Sequence, residues 1–349
     1  MISVDQLAAD SPPVSEYTGP GTFEIPAPHG GTLSIPAEVD ERSDPYLALA
    51  HAGQIHSYYQ EHGYVVVRGL IPSSLCDAAR EDFAREIKPH TGYIYRQATA
   101  NPERNKFTEH GFVVNSILNI QDLRRSNFPG FRESGLRIIT HPALHASMKE
   151  LLNDDGKVVQ SMYFEGNPET WAHQDTYYLD SLELGRMVGA WIAVEDIKPG
   201  AGRFYVYPRS HLIDMKKNGG DFDIAFNHQR YKRLVLDVIS SHGLECRAPA
   251  LRKGDVLFWA SKTIHGSLPT TQGQHSRASF TVHAIPRSTG FLQHQAREKR
   301  LSLQEIGGVP IHCPKDQNRF SKRAVLFLET TFPAAFQTVK KLAVKLYTH

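Results

Sequence analysis

Two histidines and one aspartate are spaced along this chain in a way that can hold a metal ion. His173 and Asp175 are one residue apart, and His265 follows ninety residues after Asp175. Residues i and i+2 of a strand point to the same face, so the first two side chains can converge on one ion. Two imidazoles and one carboxylate form the facial set that binds Fe(II) and leaves coordination positions open. Open positions indicate chemistry at the metal rather than a structural role.

The sequence around these residues supports the pattern, which would be weak by itself in a chain with 18 histidines. A strand-like run, Val158–Phe164, and the turn-forming residues 166–168 precede the first pair. His265 follows a glycine turn, an apolar strand and a short loop within Gly254–Ser267. We therefore expect strands to deliver the ligands to a common pocket, with Trp171 forming part of its wall.

Arg277 lies twelve residues after His265 and precedes an apolar run, residues 278–284. A guanidinium can bind a carboxylate through two parallel hydrogen bonds, and it stays charged when buried. An iron enzyme that uses a dicarboxylate co-substrate needs such a group. Ser279 is two residues further along the predicted strand, so it can donate a second hydrogen bond from the same side. Together these residues predict an oxygenase that depends on Fe(II) and 2-oxoglutarate.

In combination, several segments resemble the phytanoyl-CoA dioxygenase-like family of Fe(II)/2-oxoglutarate oxygenases over roughly residues 55–290. The resemblance implies a double-stranded β-helix core with helices packed outside. It also implies His173, Asp175 and His265 as iron ligands, and Arg277 as the clamp on the far carboxylate of 2-oxoglutarate. The residues that it implies as assistants in co-substrate binding are Ser267, Ser279 and Gln160. The segments that carry the resemblance are Gly63–Gly69, Trp171–Asp175, Gly200–His211, Gly254–Ser267 and Arg277-x-Ser279.

The resemblance further implies a reaction that consumes O2 and 2-oxoglutarate and releases succinate and CO2. Hydroxylation is the default outcome, but desaturation, epoxidation and ring formation remain open. Members of the family act on lipids, amino acids, alkaloids, sugars and antibiotic precursors, so we expect a small-molecule metabolite without choosing among these. The halogenating branch replaces the carboxylate ligand by a small residue, and Asp175 argues against that outcome here.

Substrate-binding residues are predicted from two parts of the chain. Residues 93–119 lie where such enzymes often carry lids, and tyrosines follow the metal motif directly. For each aromatic residue, packing in the core is an equally good interpretation. The candidates are Tyr93, Arg96, His110, Asn115, Tyr177, Tyr178 and Trp191.

The remainder of the chain predicts the scaffold. With 349 residues, of which 40% are hydrophobic and 22% charged, it has the composition of a soluble globular protein. Short strands separated by Gly or Pro turns from residue 158 to residue 285 predict a sandwich or barrel. The predicted fold is mainly β with flanking helices, with a double-stranded β-helix (jelly-roll, cupin-like) core. We expect an extended N-terminal arm (1–47), an oxygenase domain with a helical N-terminal part (48–290), and a C-terminal helical extension packed on the core (291–349).

Composition also bears on partners and compartment. The net charge of +2 gives no reason to expect a nucleic-acid partner. Cys76, Cys246 and Cys313 are distant in sequence and odd in number, which fits a reducing compartment better than a disulfide scaffold. The first residues lack a signal-peptide pattern, and every apolar run is too short to span a bilayer. We expect a cytoplasmic protein without stable membrane insertion that acts on a small molecule, and a homodimer remains open.

The last residues, 336–349, predict a basic amphipathic helix with lysines largely off its apolar face. Such a helix can lie on a membrane surface. Docking on its own domain or on a dimer partner is the more common role of an amphipathic helix.

Two other functions are compatible with part of the pattern. A metal-dependent hydrolase or isomerase on a cupin-like barrel can also use two His and one Asp, with Zn(II) or Mn(II), but it has no need of Arg277 and Ser279. A non-catalytic metal-binding barrel is the second alternative, and the complete ligand set argues against it.

Overall fold

A computed structural model describes residues 21–37, 52–220, 224–295, 297–336 and 338 of the chain. Within them the chain forms six α-helices and seventeen β-strands, numbered here in chain order. The helices are α1 (Ala52–His62), α2 (Ser73–Asp82), α3 (Pro129–Ile139), α4 (Pro142–Leu152), α5 (Ile224–Ser241) and α6 (Phe320–Thr331). The strands are β1 (Thr22–Pro26), β2 (Thr32–Pro36), β3 (Tyr64–Val67), β4 (Ile94–Tyr95), β5 (Pro102–Glu103), β6 (Ile117–Leu118), β7 (Gly156–Phe164), β8 (Leu179–Ser181), β9 (Val188–Ala193), β10 (Phe204–Val206), β11 (Val256–Ala260), β12 (His265–Ser267), β13 (Ser279–Pro286), β14 (Phe291–Gln293), β15 (Arg297–Lys299), β16 (Leu303–Ile306) and β17 (Val309–His312).

The largest sheet has eight strands in the order β16-β17-β7-β13-β9-β11-β3, with β6 paired to β7 off this path. Its pairs are antiparallel except for β17 with β7. Smaller sheets form from β15-β14-β8 and from β10-β12. The central strands β9, β11 and β13 are buried along their whole length, so both faces of the sheet are covered there.

Alternation along the central strands sends side chains to two different layers. One face of the main sheet packs on helices α1 to α4, and the other packs on β10. Burying one large apolar side chain in either layer contributes roughly 1.5–3 kcal/mol. The residues that face the helices include Val65, Val67, Ala190, Ile192, Val256, Phe258, Phe280 and Val282. Those that face β10 include Tyr64, Val66, Trp191, Ala193, Leu257 and Trp259.

The ends of the chain differ from the domain prediction. Residues 291–312 form β14 to β17 rather than helix, and β17 joins the main sheet, so a boundary at residue 290 cuts through the sheets. These strands have three or four residues each, too few for an alternating pattern to be recognised in the sequence. At the other end, β1 and β2 form an antiparallel hairpin within the predicted arm.

Most of the predicted tail helix lies outside the described residues, as do residues 1–20 and 38–51. Among the helices that the structure describes, none is long and apolar enough to cross a membrane.

Candidate metal centre

Backbone pairing brings the two histidines side by side. The His173 N–H donates to the His265 carbonyl over 3.0 Å, and the His265 N–H donates back over 2.9 Å. Directly opposed residues of an antiparallel pair place their side chains on the same side, and the two ring centroids lie 4.4 Å apart. Asp175 begins a short 3₁₀ turn just after this pairing. Its Oδ1 lies 3.5 Å from the Nε2 of each histidine, so the structure brings the three predicted ligands together.

Backbone carbonyls determine which ring nitrogen of each imidazole carries the hydrogen. The Nδ1 of His173 lies 2.9 Å from the Trp171 carbonyl, and the Nδ1 of His265 lies 2.9 Å from the Thr263 carbonyl. Because a carbonyl only accepts, each Nδ1 carries the proton and each Nε2 keeps a lone pair for a metal. Burial lowers the pKa of His265 to about 4, so this ring is neutral at physiological pH.

Asp175 is held by its second oxygen. The indole N–H of Trp259 donates to Oδ2 over 2.8 Å, and the Nε2 of His283 lies 3.2 Å from the same atom. Burial alone would raise the pKa of Asp175, but the contact of its Oδ2 with the His283 imidazole acts in the opposite direction, and the pKa lies below its ordinary value. The carboxylate is therefore ionised, fixed in orientation, and left with Oδ1 free for a metal.

A glycine makes room for this arrangement. Gly189 of β9 is opposite Trp259 of β11 and also opposite His283 of β13. A Cβ at Gly189 would lie 2.3 Å from carbons of the indole ring, which is far inside van der Waals contact. The sequence prediction did not include these three residues. A buried tryptophan normally needs an acceptor for its N–H, and that requirement was the available signal.

Arg277 lies just before β13 and is buried, with 2% of its surface exposed. Its guanidinium carbon is 5.3 Å from the ring centre of Phe164 and 5.9 Å from that of Trp191. Its Nε has no hydrogen-bond partner, and no carboxylate of the described residues forms an ion pair with it. Burial lowers the pKa of Arg277 to about 9, so the group still carries its charge at neutral pH. An uncompensated buried cation is costly, which makes this a position built for an anion.

Ring contacts connect the arginine to the metal ligands. Trp191 lies 6.0 Å from Phe204, and Phe204 stacks on His265 at 5.4 Å between ring centres. The site is thus lined by aromatic rings between Arg277 and the imidazoles. Such a lining lowers the local polarity and strengthens charge interactions inside it.

The three predicted assistants have different surroundings. Ser267 accepts the Thr170 N–H over 2.7 Å and donates to the Asn167 side chain over 3.0 Å. The Ser279 hydroxyl donates to the Arg277 carbonyl over 3.2 Å. Gln160 of β7 is half-buried and lies opposite His283 of the neighbouring strand β13.

Of the substrate candidates, the ones that follow the metal motif lie near it. Tyr178 is half-buried, with its ring 5.7 Å from that of His173 and its hydroxyl 3.0 Å from the Nε2 of His228. Tyr177 is buried, stacks near Tyr231 at 4.4 Å, and donates to a backbone carbonyl. Trp191 lies beneath Arg277, as described above.

The candidates from residues 93–119 make other contacts. Arg96 is buried and donates to the Asn115 carbonyl over 2.8 Å, and the Asn115 amide donates to a neighbouring carbonyl. These two residues thus hold the loop together. His110 lies beside Gly273, in the connection between β12 and β13. Tyr93 lines a cavity of about 310 Å³ beside α6, which shares no lining residue with the metal centre.

The sequence profile of the phytanoyl-CoA dioxygenase (PhyH) family matches residues 59–279, which is more than half of the chain and includes all three candidate ligands and Arg277. The chain belongs to this family.

Relatives agree with this assignment at low identity. Phytanoyl-CoA dioxygenase domain-containing protein 1 of Mus musculus is 30% identical over 199 residues, or 52% of this chain and 63% of that protein. The chain therefore spans a little under two thirds of that relative. The peroxisomal phytanoyl-CoA dioxygenase of Homo sapiens is 23% identical over 269 residues, or 72% of this chain and 73% of that protein.

Two solved structures are similar in fold. The non-heme alpha ketoglutarate dependent epimerase SnoN from nogalamycin biosynthesis superposes with a TM-score of 0.52 at 16% identity, covering 70% of this chain and 87% of its own. The carbocyclase SnoK from the same pathway gives 0.51 at 19% identity, covering 68% and 85%. The predicted fold class, mainly β with a cupin-like core and flanking helices, is confirmed.

Proposed function

We propose that this protein is an Fe(II)- and 2-oxoglutarate-dependent dioxygenase that oxidises a small-molecule metabolite and releases succinate and CO2. The observation that carries the proposal is the combination of a three-ligand site with a buried, unpaired Arg277, joined by a lining of aromatic rings. Membership of the PhyH family supports it.

The donor set fits iron. Two neutral imidazole nitrogens and one carboxylate oxygen from His173, His265 and Asp175 suit Fe(II) and leave positions for exchangeable ligands. When bound, iron and 2-oxoglutarate would supply the activation of O2 that substrate oxidation requires. The chain's own part is to hold the donors in place, which the carbonyls of Trp171 and Thr263 do for the rings.

The surroundings of Arg277 fit the co-substrate. Its guanidinium offers a planar pair of donors to the far carboxylate of 2-oxoglutarate, and this contact would neutralise a charge that the folded protein leaves unpaired. Phe164 and Trp191 keep water from the contact, which strengthens it. Fixing one end of the co-substrate in this way also fixes the approach of the other, which is catalysis by positioning.

Hydroxylation is the proposed outcome, with the substrate entering beside the half-buried Tyr178. Solved proteins of this fold include one named as an epimerase and one named as a carbocyclase, so the product has to be identified directly. We also propose a cytoplasmic location, because Cys76, Cys246 and Cys313 are free thiols and suit reducing conditions.

The alternatives explain less of the site. A hydrolase or isomerase with Zn(II) or Mn(II) would use the same three ligands but leaves Arg277 without a purpose. A non-catalytic metal-binding barrel would use the same three ligands and would also leave the buried Arg277 without a purpose.

An anaerobic titration tests the proposal. Purified protein receives Fe(II) and then 2-oxoglutarate, and the visible metal-to-ligand charge-transfer band is recorded. We expect a band that is absent in Asp175→Ala and that needs much more 2-oxoglutarate in Arg277→Ala. Folded, iron-loaded protein that gives no band would contradict the proposal and favour the hydrolase or the non-catalytic barrel.

A further inference from the structure

Helix α6 exposes its apolar face and buries polar groups. A surface helix of a globular protein normally does the reverse. Glu329 is the buried residue of this helix, and its Oε2 accepts a hydrogen bond from the Tyr95 hydroxyl over 2.9 Å. The exposed apolar residues on and directly after the helix, with their exposed fractions, are Phe320 (77%), Val325 (40%), Phe327 (62%), Leu328 (47%) and Phe332 (55%).

These side chains form one patch. In the described part of the chain, eleven large hydrophobic residues are exposed, and five of them fall within the thirteen residues 320–332. Phe320 and Phe327 are seven positions apart and therefore lie on the same side of the helix, with Leu328 beside them. A contiguous exposed apolar patch of this kind marks an interaction surface rather than ordinary surface composition.

The sequence that carries the patch is rich in basic residues. Residues 315–349 contain seven Lys or Arg and two acidic residues, a net +5 in a chain whose total is +2, so the rest of the chain carries a net −3. Both acidic residues, Asp316 and Glu329, are buried. In the described part of this segment, the charge presented to solvent is therefore basic. Its basic residues are Lys315, Arg319, Lys322, Arg323, Lys340, Lys341 and Lys345.

We propose that the apolar face of α6, with the neighbouring basic residues Lys315, Arg319, Lys322 and Arg323, docks on an anionic lipid surface. Phenylalanine rings enter the boundary between head groups and acyl chains, while lysine and arginine are attracted to anionic head groups. A second copy of the chain is the other obvious occupant. Two such segments would bring net positive charges together, whereas an anionic membrane is complementary in both polarity and charge.

Co-sedimentation of the full-length protein with vesicles tests this proposal. One vesicle set is pure phosphatidylcholine and the other is phosphatidylcholine mixed with phosphatidylserine. We expect binding to the mixed vesicles that weakens with salt, because exposed charges are screened. The double variant Phe320→Ser/Phe327→Ser should bind at least roughly tenfold more weakly, since it removes two aromatic anchors. The matched control is Leu212→Ser, which removes a side chain that is 60% exposed on a different element and should bind as the parent does.

A second variant, Arg319→Gln/Lys322→Gln, separates charge from apolar contact and should weaken the preference for phosphatidylserine. Unfolding curves show that each variant is folded before its binding is compared. Equal sedimentation of the parent with and without vesicles would overturn the proposal. Sedimentation velocity tests whether a second copy of the chain binds this face instead. A parent dimer that dissociates in Phe320→Ser/Phe327→Ser, together with no vesicle binding, would assign the face to a second copy.

Discussion

The two ends of the proposed active site treat a buried charge in opposite ways. Asp175 has its full set of partners: two imidazoles beside Oδ1, and an indole and a third imidazole on Oδ2. Arg277 is equally buried, yet its Nε has no hydrogen-bond partner among the described residues, and the rings of Phe164 and Trp191 lie against the guanidinium. The carboxylate is organised before any ligand arrives, whereas the arginine is completed by one.

This difference separates two kinds of ligand. A metal site has to hold its donors rigidly, because small shifts change the coordination geometry, and partners such as Trp259 and His283 provide that rigidity. A co-substrate must arrive and leave in each turnover, so the protein cannot occupy its anchor with a carboxylate of its own. The unpaired charge therefore lowers stability in the empty protein and increases affinity for the anion.

The largest effect is expected from removing the organised carboxylate. Asp175→Ala should weaken Fe(II) binding by well over a hundredfold, since even residues outside the first coordination shell are worth about 10–100-fold. Calorimetric titration under anaerobic conditions measures the affinity. Asp122→Asn is the control, because it alters another buried carboxyl that lies outside the metal centre. Similar Fe(II) affinities in the two variants would mean that Asp175 is not a ligand.

Arg277→Met should separate stability from binding. The variant should bind 2-oxoglutarate roughly 10–100-fold more weakly, because a charge-assisted pair is lost. Without co-substrate, its free energy of unfolding should nevertheless be higher than that of the parent by about 1–3 kcal/mol, because an uncompensated buried charge has been replaced by an apolar side chain. Denaturant unfolding measures this difference.

Arg203→Met provides the matched control for this experiment. Arg203 is as buried as Arg277, but its guanidinium donates to the backbone carbonyls of Ile197, Pro36 and Ala37. Its removal should therefore lower the free energy of unfolding. If both variants lose stability, Arg277 is paired in solution and the proposed contrast between the two ends is wrong.

A smaller effect is expected from the residues that hold Asp175. Trp259→Phe keeps an aromatic side chain, although a smaller one, but loses the indole N–H, so Fe(II) affinity should fall about tenfold. Gly189→Ala should give a similar loss without touching the indole chemically, because the added Cβ would displace it. The absorption spectrum of the Co(II)-substituted protein would report the altered coordination. An unchanged spectrum and affinity in both variants would show that Oδ2 needs no fixing.

The clustering of the three candidate ligands and the core strands could be predicted from the sequence because both depend on local patterns. His173 and Asp175 are one residue apart, and the strand that precedes His265 is a continuous apolar run. The assignment of Arg277 needed only its distance from that histidine and the family resemblance. The spacing within each motif is local, and the family resemblance connects the motifs that are far apart in sequence.

The residues that were missed depend on strand order. Gly189, Trp259 and His283 meet because β11, β9 and β13 are neighbours in the sheet, although they are far apart in sequence. The alternation of residues within one strand does not indicate which other strands will pair with it. Likewise, the exposed apolar face of α6 is visible only once the rest of the structure shows which side of the helix is covered.

The smallest effect on the site is expected from Asp122, a buried carboxyl outside it. Comparing Asp122 with Arg277 shows why a buried arginine in particular requires an anion. Burial raises the pKa of Asp122 to about 7, and its Oδ2 accepts the Lys315 N–H over 3.0 Å. A carboxyl in such a place can take up a proton and lose its charge, but a guanidinium holds its proton far more strongly. Asp122 therefore needs no ligand, whereas Arg277 does.

The pH dependence of unfolding follows from that shift. Because the folded-state pKa of Asp122 lies above its ordinary value, the folded protein binds the proton more tightly, and stability is lost as pH rises from about 4 to about 7. Asp122→Asn should remove this loss. The free energy of unfolding of the variant, relative to that of the parent, should therefore rise across that pH range by on the order of a few kcal/mol and then stay constant. Urea unfolding at several pH values measures it, with the exposed Glu133→Gln as control. Parallel pH profiles for parent and Asp122→Asn would contradict it, and 2-oxoglutarate affinity should be the same in both proteins.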